Sequence, residues 1–376
     1  MARILAVTWD GGGNVPPMLG IAAELQRRGH QVRVLGHPQQ RELVVSAGLK
    51  FLEYHYSRPW SPRVAVTGVR LLMKFLFGVF TDVGAGKDVR DEIAREQVDL
   101  ALVDSMILSG LRAAEEAGVP TAVLMHTLHR YHTHRWGHGP IGVVAAARGM
   151  WPGRLWNAAD RVLVATDSAL DPATEGRLPA NVRYTGVVQA PIRPGTPKNK
   201  LLVLVSLSTN FFEGQEATLQ AVLNALEGLP IRAIVTTGAV APEALRVPAN
   251  VEAHGYFPHD QIMPSVSLVI GHGGHSTTVR ALAHGIPLLI LPMHRALDQA
   301  MIGKAVAKAG AARVLPKTSS PGEIQSAVRS LLEDPSYRLA AEAAGARLRS
   351  SNGAIAAADE LESLLKARRD SAQSAA

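Results

Sequence analysis

The 376-residue chain has no cysteine. A disulfide scaffold, a Cys-ligated zinc site and thiol catalysis are therefore excluded. No run of about eighteen apolar residues occurs, so no segment is expected to span a bilayer. Residues 1–8 form only a strand-length apolar stretch without a signal-peptide cleavage site, and a cytoplasmic protein is the expectation. Aromatics are sparse, with five Trp, six Tyr and seven Phe. Lys and Arg exceed Asp and Glu by 39 to 32, but the basic residues are scattered, which argues against nucleic acid as a partner. Hydrophobic residues make up 47% of the chain, enough for a core in each of the two domains that its length favours.

Apolar periodicity alternates between strand and helix. Segments 3–8, 31–35, 98–103, 119–125 and 161–165 read as buried strands, and 15–28 as a helix with Met18, Ile21, Ala22 and Leu25 on one face. Pro16 and Pro17 suit its first turn and Gly29 its end. After a breaker cluster holding Pro191, Pro194 and Pro197, the alternation restarts with strands at 201–205, 231–236, 251–254, 268–271, 287–291 and 312–315. Ser320 and Glu323 have capping-box spacing ahead of a helix. Helical stretches at 335–350 and 354–368 precede a polar tail. The expected organisation is an α/β domain at 1–184, a linker at 185–200, a second α/β domain at 201–350, and a C-terminal helix and tail at 351–376. Strands alternating with helices predict a parallel sheet in each domain.

The most informative motif is Gly271-His272-Gly273-Gly274-His275-Ser276-Thr277-Thr278, between an apolar strand and a helix. Glycines admit close backbone approach, and a helix start presents free N–H groups and a positive dipole to an anion. Ser276 and Thr277 add hydroxyls, and His272 a further N–H. The simpler alternative is a turn with an N-cap. Some twenty residues on, Asp298-Gln299 follows the next strand, where an acceptor and an amide suit sugar hydroxyls or, read alone, an ordinary helix cap.

With Gly255-Tyr256-Phe257-Pro258 and Gly285-Ile286-Pro287, these segments resemble the donor signature of the glycosyltransferase B (GT-B) fold. The chain is most similar to the inverting, nucleotide-sugar-dependent enzymes of plant natural-product and bacterial antibiotic glycosylation. The resemblance implies two Rossmann-like parallel-sheet domains facing across a cleft. It implies that His272, Gly273, Gly274, Ser276 and Thr277 bind the diphosphate, with Ser206 and Thr209 near it. Tyr256 would stack on the base, and Asp298 and Gln299 would hold the sugar. Where plant members place a ribose-binding Glu this chain has Arg280, so a deoxythymidine diphosphate (dTDP) sugar is as expected as a uridine diphosphate (UDP) sugar. No metal or other cofactor is implied.

The N-terminal loop, Trp9-Asp10-Gly11-Gly12-Gly13-Asn14, fails as a nicotinamide-dinucleotide fingerprint, because Pro16 stands at the third glycine and no acid ends the second strand. In the glycosyltransferase resemblance the usual catalytic His, or Asp, falls on Asn14, and Asp104 matches its carboxylate partner. An amide is no base. Asp10, Asp104 itself or His126 could replace it, and Asp10 is preferred, with Asn14 orienting the acceptor. An acidic acceptor such as a phenol would need only a weak base. Trp9, Phe75, Phe77 and His126 are candidates for acceptor contacts, and the apolar stretch 70–80 fits core, an acceptor pocket or a membrane surface. The five histidines from His126 to His138 match no compact metal pattern and read as a solvated loop.

The expected function is inverting transfer of a sugar from a dTDP- or UDP-sugar to a hydroxyl of a hydrophobic natural product. A nucleotide-sugar epimerase, or a non-catalytic nucleotide-sugar-binding or partner-activating protein, is the alternative. Peripheral membrane contact and a homodimer are left open.

Overall fold

The computed structural model describes residues 1–60, 73, 76–189, 192 and 201–375. They fall into two compact units: residues 1–189 with 351–375, and residues 201–350. Each is built on a parallel sheet, as the alternation of strand and helix predicts.

The first sheet has seven strands: β1 (Arg3–Val7), β2 (Gln31–Gly36), β3 (Lys50–Glu53), β4 (Leu100–Asp104), β5 (Thr121–Met125), β6 (Arg161–Val164) and β7 (Val182–Tyr184). Their order is β3-β2-β1-β4-β5-β6-β7, and every pairing is parallel. β4 and β5 are buried along their whole length, as apolar strands covered on both faces should be. The helix Val15–Arg27 buries the expected stripe of Met18, Ile21, Ala22 and Leu25. That stripe shares a core with Ala357, Ala358, Leu361, Leu364 and Leu365. Those residues belong to the helix Gly353–Ala375, which returns the chain to the first unit. Arg28 fastens this return with salt bridges to Asp359 and Glu362 at 2.6 and 2.7 Å. The segment that the sequence reading sets apart as a C-terminal helix and tail is thus part of the N-terminal core.

The second sheet has six strands: β8 (Leu202–Ser206), β9 (Arg232–Thr236), β10 (Val251–His254), β11 (Leu268–Gly271), β12 (Leu288–Ile290) and β13 (Ala312–Val314). The order is β10-β9-β8-β11-β12-β13, again all parallel. The capping box closes as expected: the Ser320 amide donates to Glu323 Oε2 at 2.8 Å and the Glu323 amide to Ser320 Oγ at 3.3 Å.

β3 and β7 were not expected from the sequence. Both are short, and β7 ends at Tyr184, just before the 185–200 segment, most of which lies outside the described residues. Strand order reverses between β1 and β4 in one sheet and between β8 and β11 in the other. Ligands of open α/β sheets bind at the carboxyl ends of the strands flanking such a reversal. Both loops singled out by the sequence begin there.

Candidate functional site

In the second unit, β11 delivers the chain to Gly271, and the helix His275–Ala283 starts four residues later. Gly273 has φ +83°, and a Cβ there would lie 2.6 Å from the Gln299 carbonyl oxygen, so this position requires glycine. The first turn of the helix carries no acidic side chain and no side-chain cap, as at helix starts that bind anions. Ser276 is exposed and Thr277 half-buried beside them. His272 Nε2 lies against Gly274, where an added Cβ would approach it to 2.5 Å. Its Nδ1 is buried. Burial pulls the His272 pKa down to about 4, opposed only by the Ser206 backbone. The ring is thus neutral near pH 7 and has an N–H to offer rather than a positive charge.

The loop after β8 completes this end of the sheet. Ser206 is buried and Thr209 exposed. Ser208 is held at φ 129°, a region that disfavours side chains, and its carbonyl accepts from Gln215 Nε2 at 3.1 Å. Gln299 is buried, and its Oε1 accepts from the Met293 and His294 amides at 2.7 and 3.0 Å. That oxygen shapes the 293–298 loop. Asp298 is half-buried at the start of the helix Gln299–Lys308. Tyr256 is 74% exposed. Arg280 pairs with Asp260 at 2.6 Å. Phe212 carries no role predicted from sequence, yet its ring lies 6.1 Å from that of His272 and 6.4 Å from that of His294. It belongs to no motif, so only the folded chain reveals it.

In the first unit, β4 ends in Asp104, which is fully buried. Its Oδ1 accepts the Met106 amide at 2.9 Å and its Oδ2 the Asn14 side-chain amide at 3.0 Å. Asn14 is 1% exposed; its Nδ2 also donates to the Trp9 carbonyl at 2.9 Å, and its Oδ1 accepts from the Gly11 amide at 3.0 Å. It therefore ties the glycine loop to Asp104 and presents little to an acceptor. Asp10 is half-buried, with no hydrogen bond or ion pair among the described residues. His126 follows β5, with Nδ1 3.7 Å from Asp104 Oδ2.

Trp9 is 7% exposed and packs edge-on against Trp60 and Phe80, at centroid distances of 5.7 and 4.8 Å. Phe77 is half-buried under the Arg148 guanidinium, 5.4 Å from its ring, and Phe75 lies outside the described residues, as do 70–72 and 74 of the 70–80 stretch.

The histidine segment is not the solvated loop expected. Residues Tyr131–Trp136 form a π-helical turn, His132 is fully buried and His129 nearly so. His132 Nδ1 is 3.4 Å from Ser105 Oγ, and its ring packs against Trp156 at 6.1 Å. Burial holds its pKa well below the ordinary imidazole value. Asp171 anchors the segment by accepting the His129 and Arg130 amides, and the Tyr184 hydroxyl donates to the same carboxylate at 2.8 Å. Among the described residues, no three His, Asp or Glu side chains are grouped to hold a metal ion, and no helix is long and apolar enough to cross a membrane.

Comparison with known proteins supplies independent findings. Residues 12–187 match a glycosyl transferase 4-like domain, and residues 220–364 match the C-terminal domain of the erythromycin biosynthesis protein CIII-like family. The chain is 25% identical to 4'-demethylrebeccamycin synthase of Lentzea aerocolonigenes, over 97% of this chain and all of that relative. Among solved structures it resembles the glycotransferase of kitacinnamycin, with a TM-score of 0.79 and 22% identity over 96% of this chain and 98% of the other. A spinosyn rhamnosyltransferase, solved with thymidine diphosphate and with spinosyn aglycone, aligns at TM-scores of 0.72 and 20% identity over 96% of this chain and all of its own.

Proposed function

The chain is a glycosyltransferase of the natural-product type with the GT-B fold, and on that premise we propose that it moves a sugar from a dTDP- or UDP-sugar to a hydroxyl of a hydrophobic acceptor, with inversion. The carrying observation is the anion site after β11: a glycine-only backbone, a helix start free of acidic side chains, and a neutral imidazole at its edge. The diphosphate takes the opening N–H groups of the helix, the Ser276 and Thr277 hydroxyls and an N–H of His272. Ser206 and Thr209 lie beside it, on the loop after β8.

The exposed Tyr256 ring stacks on the base, and Asp298 with the Gln299 NH2 takes sugar hydroxyls. Charge on the leaving diphosphate grows in the transition state, and donors already aimed at it need no reorganisation; removing one such donor typically costs about 10²–10³ in kcat. Transfer proceeds without a metal cofactor in this reading. The first unit supplies the acceptor hydroxyl and the group that deprotonates it.

The test is thermal stabilisation by dTDP, UDP, guanosine diphosphate and NAD, for the native chain and His272→Ala. A ligand specific to the folded state, at one hundred times its dissociation constant, adds about 2.7 kcal/mol. A shift with a pyrimidine diphosphate that His272→Ala abolishes supports the donor site. No shift with either pyrimidine diphosphate, or a shift with NAD alone, overturns it. Turnover of a dTDP- or UDP-sugar with an acceptor separates a transferase from an epimerase and from a binding protein.

A further inference from the structure

We propose that His126 is the catalytic base of the transfer, that Asp104 positions it, and that Asn14 is a clamp on that carboxylate; the proposal rests on the transferase reading above. Asp104 is fully buried, with Oδ1 engaged by the Met106 amide and Oδ2 by the Asn14 amide, so it reaches no acceptor itself. Asn14 is equally committed, bonding to Asp104, to the Trp9 carbonyl and to the Gly11 amide. Asp10 is half-buried, and no hydrogen bond or ion pair among the described residues orients it.

His126 has the geometry these lack. Its Nδ1 is buried without a hydrogen-bond partner and lies 3.7 Å from Asp104 Oδ2. The contact is under about 1 Å too long for a hydrogen bond, and catalytic pairs often tighten only once substrate is bound. The side chain keeps 15% exposure, and with Nδ1 buried that exposure belongs to the rest of the ring. An imidazole with one nitrogen toward a fixed carboxylate and its other edge toward solvent is an oriented general base. The fully buried His132 packs edge-on against it at 5.7 Å and limits its swing on that side. β4 and β5 are adjacent, with Asp104 opposite Leu124, so the carboxylate and the base come from neighbouring strand ends.

In the step, the acceptor O–H gives its proton to His126 Nε2 and the oxygen forms a bond to the anomeric carbon. The bond from that carbon to the diphosphate oxygen breaks, and its electron pair leaves with the diphosphate. The imidazolium formed is stabilised by the Asp104 carboxylate beside Nδ1–H.

Imidazole 15N NMR on the full chain tests the pair without an acceptor. The expected result is the Nδ1–H tautomer at His126, redistributing toward Nε2–H in Asp104→Asn. A proton on Nε2 in the native chain overturns the proposal. Kinetics test the role, with dTDP-glucose or UDP-glucose and two acceptors: phenol, and the far more acidic 4-nitrophenol, which is ionised in large part even near neutrality and wholly a little above it. His126→Gln is expected to lower kcat for phenol about 10²–10⁴-fold with an unchanged donor KM, and to change 4-nitrophenol transfer far less. Equal losses with both acceptors, or a selective loss in Asp10→Asn with His126→Gln unaffected, overturn it. Failure of the native chain to bind either nucleotide diphosphate is a separate result, and it sinks the transferase reading instead.

Discussion

Burial of His272 makes a quantitative claim about stability. In the unfolded chain this imidazole takes up its proton near pH 6.5, and in the folded chain only near pH 4. Between those values the unfolded state binds more protons, so the stability is complete above pH 6.5 and is lost as pH falls toward 4. The gap amounts to about 3 kcal/mol, of which about 2 kcal/mol is gone by pH 5. The perturbation is His272→Gln, which keeps polarity and approximate size but cannot titrate. Urea unfolding of both proteins would be followed at pH 7.5, 6.5, 5.5 and 5.0. Far-ultraviolet dichroism is the suitable probe, because all five Trp lie in the first unit and would report the wrong transition. Other buried histidines, such as His132, titrate equally in both proteins and cancel. The native chain should lose about 2 kcal/mol more than the variant between pH 7.5 and 5.0. Parallel curves for the two proteins would refute the assignment of a desolvated, neutral His272 ring.

Other substitutions test the remaining geometry. Gly273→Ala forces a side chain onto φ +83° and against the Gln299 carbonyl; it should remove stabilisation by nucleotide diphosphate and lower the melting temperature, and a native-like shift with dTDP or UDP would contradict the close approach. Asp171→Ala strips the acceptor from the His129 and Arg130 amides and from the Tyr184 hydroxyl, at a cost of about 3 kcal/mol in urea unfolding; a loss under about 1 kcal/mol would show that the histidine segment is held by something else. Ser208→Gly relieves the φ of 129° and should raise the urea midpoint by up to about 1 kcal/mol in stability, whereas a lower midpoint would mean that the serine hydroxyl outweighs the strain.

Much of this was legible in the chain itself. Long apolar strands and the stripe of the helix Val15–Arg27 are local patterns, and the glycine loop between β11 and its helix stands out in eight consecutive residues. What escaped depends on partners far away in sequence. Nothing near His132 reveals that Trp156 and Ser105 enclose it, so five clustered histidines look solvated when two are buried. The Asn14–Asp104 bond spans ninety residues, and only the reversal of strand order brings its ends together. β7 is three residues of mixed polarity, and its pairing with β6 makes it a strand. The resemblance named the residues of the donor loop but not how Gln299 spends its carbonyl oxygen on the neighbouring loop.

The return of the helix Gly353–Ala375 to the first unit has a consequence for biosynthesis. The core of that unit needs Leu361, Leu364 and Leu365 beside the helix Val15–Arg27, yet the whole second unit is translated in between. At about 5–20 residues per second, the ribosome takes roughly 10–30 s to make that intervening stretch. Throughout that time the nascent first unit holds an apolar helix face with no cover, while the second unit is free to fold first. A chain released before its last helix would carry one finished unit and one adhesive one, and so be a natural client for chaperones.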